Sequence, residues 1–263
     1  MDTKNYRHDF AFIIPTLTNV SGLKKILALI GKFYPKTPVV VVNNNPANII
    51  RTKNITVINN QKNEGVPKSL NQGARRAREL FHPTYLVFLN DDVEFDSDWL
   101  SSCFETLKRN GWVATSPVLM KPDYTIENCG YMVLPYGKVK LTTDIKNTEK
   151  IDGISGTAMV FETNGFFRLG GFDERFFAYL EDVDLFLRAK KKGYSFGITK
   201  DAKVTHMGQV TSSRFKTKKA YLDFRNWILV IAKNWSREDL MKNLGPILIE
   251  RFRNLWGIVK TLV

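Results

Sequence analysis

The sequence predicts an α/β protein: a doubly wound, mostly parallel sheet flanked by helices, followed by a helical extension at its C-terminal end. Three observations predict this. Short apolar runs rich in β-branched residues alternate with helical patterns, the first two ended by Pro or Asn. From about residue 210 the alternation stops and the chain becomes basic and aromatic. With 263 residues and 43% hydrophobic content, the chain has enough apolar material for a full core and does not read as disordered.

The elements follow in order. "FAFIIPT" and "PVVVVNN" are strands separated by the helical pattern "GLKKILALIGKF". "ITVINN" is a third strand, and "EGVPKSLNQGARRARELF" a second helix with Val66, Leu70, Ala74 and Ala77 at helical spacing. "YLVFLN" is a buried strand, "DWLSSCFETLKRN" a helix and "WVATSPVLM" another strand, with loops and short strands continuing to Lys150. "ISGTAMVFE" reads as a strand, and "TNGFFRLG" and "EDVDLFLRAKKKGY" as helices joined by the turn "GGFDERFFAYL". Ligands of such sheets bind beyond the carboxyl ends of the strands. The polar ends "PTLTN" (15–19), "NNNP" (43–46) and "NDD" (90–92) are therefore expected on one rim.

The net charge of +13 invites an anionic partner: nucleic acid, anionic lipid or a phosphorylated small molecule. Residues 214–263 hold eleven Lys/Arg against four Asp/Glu, over half of the excess. Cys103 and Cys129 form neither a spaced ligand set nor a disulfide framework, which fits a reducing cytoplasm. "MDTKNYRHDFAFIIP" lacks a secretory pattern and no run of about 18 apolar residues occurs, so any membrane contact is expected to be peripheral, on the inner face.

The extension, residues 211–263, carries Phe215, Tyr221, Phe224, Trp227, Trp235, Phe252 and Trp256. In "GPILIERFRNLWGIVKTLV", residues Leu248, Phe252, Leu255, Trp256, Val259, Leu262 and Val263 recur at helical spacing opposite Glu250, Arg253 and Lys260. Such a helix lies in the headgroup layer of an anionic membrane, or packs against the catalytic part or a second subunit in a homodimer.

Four segments carry the chemistry. In "LNDDVEFD" an apolar strand runs into Asn90, Asp91 and Asp92, and crowded carboxylates are relieved by a cation. Asp92 is the best ligand; the competing reading is a solvated loop whose acids lead into a helix capped by Asp98. Glu181 and Asp182 open a helix with Val183, Phe186 and Leu187 inward, and Arg188 in reach of Asp184; they read as a proton acceptor pair or as capping acids. His206, one of three histidines, follows a strand and offers an imidazole to a site begun by Asp92. "NEGVPKSLNQGARRA", with Asn63, Asn71, Arg75 and Arg76, is a glycine-containing loop opening a helix, a place for phosphate. It lacks both the P-loop and the dinucleotide glycine pattern.

Together "IIPTLTN", "VVVVNNNP", "NEGVPKSLNQGARRA", "LVFLNDDV", "ISGTAMVF", "GGFDERFFAYLEDVDLFLRAKKKGY" and "VTHMG" resemble glycosyltransferase family 2, inverting enzymes of the GT-A fold. The resemblance spans about residues 10–208 and includes rhamnosyl- and galactofuranosyltransferase-like enzymes of surface polysaccharide synthesis. It implies a GT-A catalytic domain over 1–210, with a nucleotide-sugar half to about 97 and an acceptor half from 98. It also implies Mg²⁺ or Mn²⁺ as cofactor, a UDP-sugar or dTDP-sugar as donor, and a glycan or lipid-linked glycan as acceptor.

Carried over by position, "NDD" resembles the family's DXD motif: Asp92 binds metal, Asp91 sits near the sugar or ribose, and Asn90 stands where the first acid usually does. Asn43, beside Asn44, replaces the Asp that reads the base. Asp182 maps to the catalytic base with Glu181 in support, and His206 to a metal-ligand histidine. Pro15, Thr16, Asn63, Gly65 and Asn71 fall among the nucleotide contacts, and Gly156 and Thr157 line the donor sugar and acceptor site. Two other classes compete: a nucleotidyltransferase, which wants a basic glycine-rich first loop that "PTLTNVSG" lacks, and a nucleic-acid binder, which leaves the acid-rich strand ends unexplained, so nucleic acid is not an expected partner.

Overall fold

The computed structural model describes residues 9–208 and 216–262. Strands β1 (Phe10–Thr16), β2 (Val39–Asn43), β3 (Thr56–Asn59) and β4 (Tyr85–Leu89) pair in parallel in the spatial order β3-β2-β1-β4. Helices α1 (Val20–Phe33) and α2 (Val66–Phe81) make the crossovers. After the two-residue strand β5 (Val93–Glu94) and helix α3 (Leu100–Asn110), the sheet continues with β6 (Ala114–Met120), flanked by β7 (Ile126–Asn128). β8 (Tyr131–Val133) and β9 (Val139–Leu141) form a separate ribbon. β10 (Ala158–Glu162) enters antiparallel between β4 and β6. Short α4 (Thr163–Arg168) and α5 (Glu181–Lys191) lead to β11 (Phe196–His206), parallel to β6, which ends by pairing antiparallel with β5.

Alternation along β1 shows why the sheet is covered on both faces. Phe12 and Ile14 face the layer of α1 and α3, with Leu23, Ile26, Cys103 and Phe104. Ala11 and Ile13 face the layer of α2, α4 and α5, with Leu70, Ala74, Phe166 and Phe186. The expected mostly parallel, doubly wound sheet is present, with β10 antiparallel inside it and the short β5 and β7 pairing antiparallel at its margins.

The boundary expected near residue 210, and Phe215, lie outside the described residues. Beyond them stand α6 (Lys216–Asn234) and α7 (Arg237–Leu262). α6 is part of the body: Trp227 and Val230 are buried with Tyr131, Phe176 and Val183. α7 is different. Its inward residue Ile247 is buried, but Leu248, Phe252, Leu255 and Trp256 are exposed, so on the described side chains the expected stripe does not pack against the catalytic part. The side chains of Val259, Lys260 and Leu262, and all of Val263, lie outside the described residues. No described helix is long and apolar enough to cross a membrane.

Candidate functional site

The carboxyl ends of β1 and β4 meet over the β1–α1 loop. Thr16 Oγ1 donates to Asp91 Oδ2 at 2.6 Å, and Asn19 Nδ2 donates to the Asp91 carbonyl at 3.1 Å and to Oδ1 at 3.3 Å. This approach needs glycine at position 22, where a Cβ would lie 2.3 Å from the Asp91 carbonyl oxygen. Burial, against the hydrogen bonds from Thr16 and Asn19 and with the neighbouring charge of Asp92, pushes the Asp91 carboxyl up to about 6.

The acids of this segment have different surroundings. Asp98 accepts from the Leu100 and Ser101 N–H groups and caps α3, and Glu94 pairs with Lys25 at 2.6 Å. Asp92 has neither use. Its Oδ2 lies 3.3 Å from His206 Nε2, while its buried Oδ1 has no hydrogen-bond partner. The register that sets His206 opposite Val93 delivers the imidazole to Asp92.

The far side of the ring is held by Glu127 on β7, whose Oε2 is 2.9 Å from His206 Nδ1. Burial lowers the affinity of His206 for a proton, but the hydrogen bonds to Asp92 and Glu127 outweigh it and push the pKa up to about 10. This set fits a divalent cation: an orphaned buried carboxylate oxygen, a neighbouring ring nitrogen, and a carboxylate orienting the ring from behind. No group of three or more His, Cys, Asp or Glu among the described residues could hold an ion alone, so Asp92 and His206 leave most of the coordination sphere to ligand oxygens and water.

Opposite stands the start of α5. The β10–β4 register, in which the Asn90 N–H donates to the Thr157 carbonyl at 2.9 Å, sets Gly156 and Thr157 beside the end of β4. The Gly156 N–H donates to Asp182 Oδ2 at 3.0 Å and the Val183 N–H to Oδ1 at 2.8 Å. Burial raises the Asp182 pKa against these two backbone hydrogen bonds. Glu181 is pushed up to about 8 by burial and by the charge of Asp182, and its Oε2 has no partner. Asp184 turns inward and pairs with Arg188 at 2.8 Å and with Lys233 of α6 at 2.6 Å.

The loop entering α5 is strained: Phe177, Tyr179 and Leu180 all have φ between 62° and 70°. The buried Nδ2 of Asn226 on α6 lies within 2.9 Å of the carbonyls of Phe176, Ala178 and Tyr179. The Phe177 carbonyl also accepts from the Val66 N–H at 2.7 Å, tying the loop to the start of α2. Gly65 there has φ 84°, and a Cβ would lie 2.3 Å from that carbonyl oxygen.

A cavity of about 660 Å³ is lined by Pro15, Thr16, Asn44, Asn63, Gly65, Asn90, Asp91, Asp92, Gly156, Thr157, Glu181, Asp182 and His206. Thus the fold brings together all the expected site residues except two. Asn43 is 2% exposed and does not line the cavity; its amide binds the Asn48 carbonyl and Asn59 and accepts from the Asn45 N–H, holding the β2 loop in shape. Asn71 is likewise buried and brackets the Phe172 N–H and carbonyl. Both positions are structural because every polar atom is already matched within the protein. Glu127, Asn226, Lys219, Leu222 and Asp223, the last three also on the cavity wall, were not expected. Glu127 carries no local signal, standing 79 residues from the histidine it contacts, and α6 lies beyond the segment where motifs are legible.

Several known proteins are similar to this chain in sequence or fold. The chain is 22% identical over 238 residues to the low-salt glycan biosynthesis hexosyltransferase Agl10 of Haloferax volcanii, covering 84% of this chain and 75% of that one. Its fold is similar to GalNAc-T7 solved with UDP, GalNAc and Mn²⁺, at TM-score 0.67 and 14% identity over 87% of this chain and 48% of that one. It is also similar to the mannosyltransferase PcManGT of Pyrobaculum calidifontis, solved with GDP-Man and Mn²⁺, at TM-score 0.63 and 18% identity over 96% and 72% of the two chains. The fold is therefore GT-A. The model of the family "Glycosyl transferase family 2" matches residues 11–164, more than half of the chain, and the chain belongs to that family.

Proposed function

We propose that this family 2 glycosyltransferase is an inverting, metal-dependent hexosyltransferase. It moves a sugar from a UDP- or dTDP-sugar to a hydroxyl of a glycan or lipid-linked glycan in surface polysaccharide synthesis of the bacterial type. The observation that carries this reading is that Asp92 with its orphaned oxygen, His206, and the Glu181–Asp182 pair line one cavity. The relative named for glycan biosynthesis, and the neighbours solved with nucleotide, sugar and Mn²⁺, support it.

In this reading Pro15, Thr16, Asn44, Asn63 and Gly65 hold the nucleotide, and Asp91 lies beside the ribose or sugar. Asp92 and His206 would hold Mg²⁺ or Mn²⁺, which when bound would supply neutralisation of charge on the departing diphosphate. Asp182 accepts the proton of the acceptor hydroxyl as that oxygen attacks the anomeric carbon from the face opposite the diphosphate. One bond to carbon forms as the bond to the diphosphate oxygen breaks, which inverts the anomeric centre. Gly156 and Val183 fix the Asp182 carboxylate by their N–H groups, and Glu181 keeps a proton beside it near neutral pH. Buried free thiols at Cys103 and Cys129 fit a reaction on the cytoplasmic side.

The test is a panel of UDP-, dTDP- and GDP-sugars screened by thermal shift with Mn²⁺, followed by anomer analysis of the product. A donor that raises the melting temperature only with Mn²⁺ and yields an inverted glycoside is expected. Equal shifts with and without metal, or a retained anomer, would remove this reading.

A further inference from the structure

The described side chains of α7 leave a long apolar face turned away from the protein. Met241, Leu244, Leu248, Phe252, Leu255 and Trp256 are each between 46% and 81% exposed and fall on one side of the helix. The opposite side is closed: Ile247 is buried, and Arg251 is 8% exposed with its guanidinium 5.3 Å over the Trp227 ring of α6. From Met241 to Trp256 the stripe runs roughly 22 Å along the axis, and Trp and Phe are suited to the boundary between headgroups and acyl chains.

Charge selects the occupant. From Met241 to Gly257 the exposed charged side chains are Lys242 and Arg253, both cations on the same border of the stripe; Lys242 pairs one turn back with exposed Glu238 at 2.6 Å, and Arg253 lies 3.9 Å from the largely covered Glu250, which Lys138 also reaches at 3.6 Å. The chain as a whole carries +13, and over half of the excess lies in residues 214–263. A second copy meeting this face through a two-fold axis would bring two net-positive extensions together, whereas an anionic surface matches both the stripe and the cationic excess around it. We propose that α7 lies flat in the headgroup layer of an anionic bilayer, its apolar face inserted and Lys242 and Arg253 on the lipid phosphates. Because α7 packs on α6, and α6 sets Lys219, Leu222 and Asp223 on the cavity wall, docking holds the cavity mouth close to the headgroups. The proposal stands independently of sugar transfer: a chain that binds vesicles without transferring keeps it.

The experiment is co-sedimentation of the full chain with vesicles of phosphatidylcholine alone or with about a third phosphatidylglycerol, with light scattering for oligomeric state. Wild-type chain is expected to pellet with the anionic vesicles only. Phe252→Glu and Leu248→Glu should each lower partitioning at least ~10-fold with an unchanged melting temperature, because these side chains support no packing in the body. Arg253→Glu should weaken binding in a salt-dependent way. Undiminished pelleting of the Phe252 and Leu248 variants, equal pelleting with neutral vesicles, or a micromolar dimer dissolved by Phe252→Glu would each overturn it, the last in favour of a second copy.

Discussion

At Asp182 two influences oppose each other: burial holds the proton on, and two backbone N–H groups pull it off. Burial wins in direction. A base works ionised, so transfer should fail as pH drops, and the fall should begin above the ordinary Asp range of about 3.9. Asp182→Asn should lower kcat by at least ~10²-fold while sparing donor affinity; an acid limb at or below pH ~4, or substantial turnover in that variant, would exclude Asp182 as the base. Glu181 runs the linkage the other way from a salt-bridged acid. Raised from 4.5 to about 8, it binds a proton in the folded chain where the unfolded chain does not, so stability falls as pH rises through that window. Glu127 acts one residue away from the chemistry, through His206 Nδ1. Glu127→Gln is expected to weaken Mn²⁺ binding by about 10-fold or more, read by calorimetry or by the Mn²⁺ spin signal in solution, with little change in melting temperature.

Among the elements, the loop between the 3-10 turn Glu174–Phe176 and α5 is the least self-sufficient. Three non-glycine residues with positive φ have no local reason to persist, and Asn226 of α6 and Val66 of α2 bind carbonyls of the loop. Asn226→Ala should cost about 2 kcal/mol, since buried carbonyls lose a donor. It should reduce kcat more than the donor KM, because the loop presents Glu181 and Asp182; equal loss in both would assign Asn226 a structural role alone. The strands and helices before β5 were legible as elements since their periodicities are long and cleanly bounded, from Val20–Phe33 to Val66–Phe81. β7, which supplies Glu127, is three residues long and has no such period.

Over the whole molecule, the last two helices have opposite relations to the rest. α6 is locked by the fully buried Asp184, which receives Lys233 at 2.6 Å, Arg188 at 2.8 Å and Asn234 at 3.2 Å. Lys233 also reaches Asp173, whose carboxyl is held well below the usual range by Arg175 and Lys233 despite the opposing effect of burial. Lys233→Met should therefore destabilise the fold by about 3 kcal/mol, measured by denaturant unfolding, because the fully buried Asp184 loses one of its partners. A loss under about 0.5 kcal/mol would mean the network contributes nothing net. Among the described side chains of α7, Met241, Leu244, Leu248, Phe252 and Leu255 are instead exposed.

The sequence by itself determined the sheet, its two helical layers and the short list of polar residues at the strand ends, because alternation and helical spacing are local properties of a chain. It also marked Asp92, Asp182 and His206 as candidates. Only the tertiary structure decided that these three face one cavity, that Asn43 and Asn71 do not, and that Glu127 and α6 belong to the site. Those outcomes depend on pairings such as His206 with Val93 and Ala158 with Leu89, between residues far apart in the chain. A one-residue slip in either register would turn the side chain to the opposite face, and nothing in the local sequence encodes that choice.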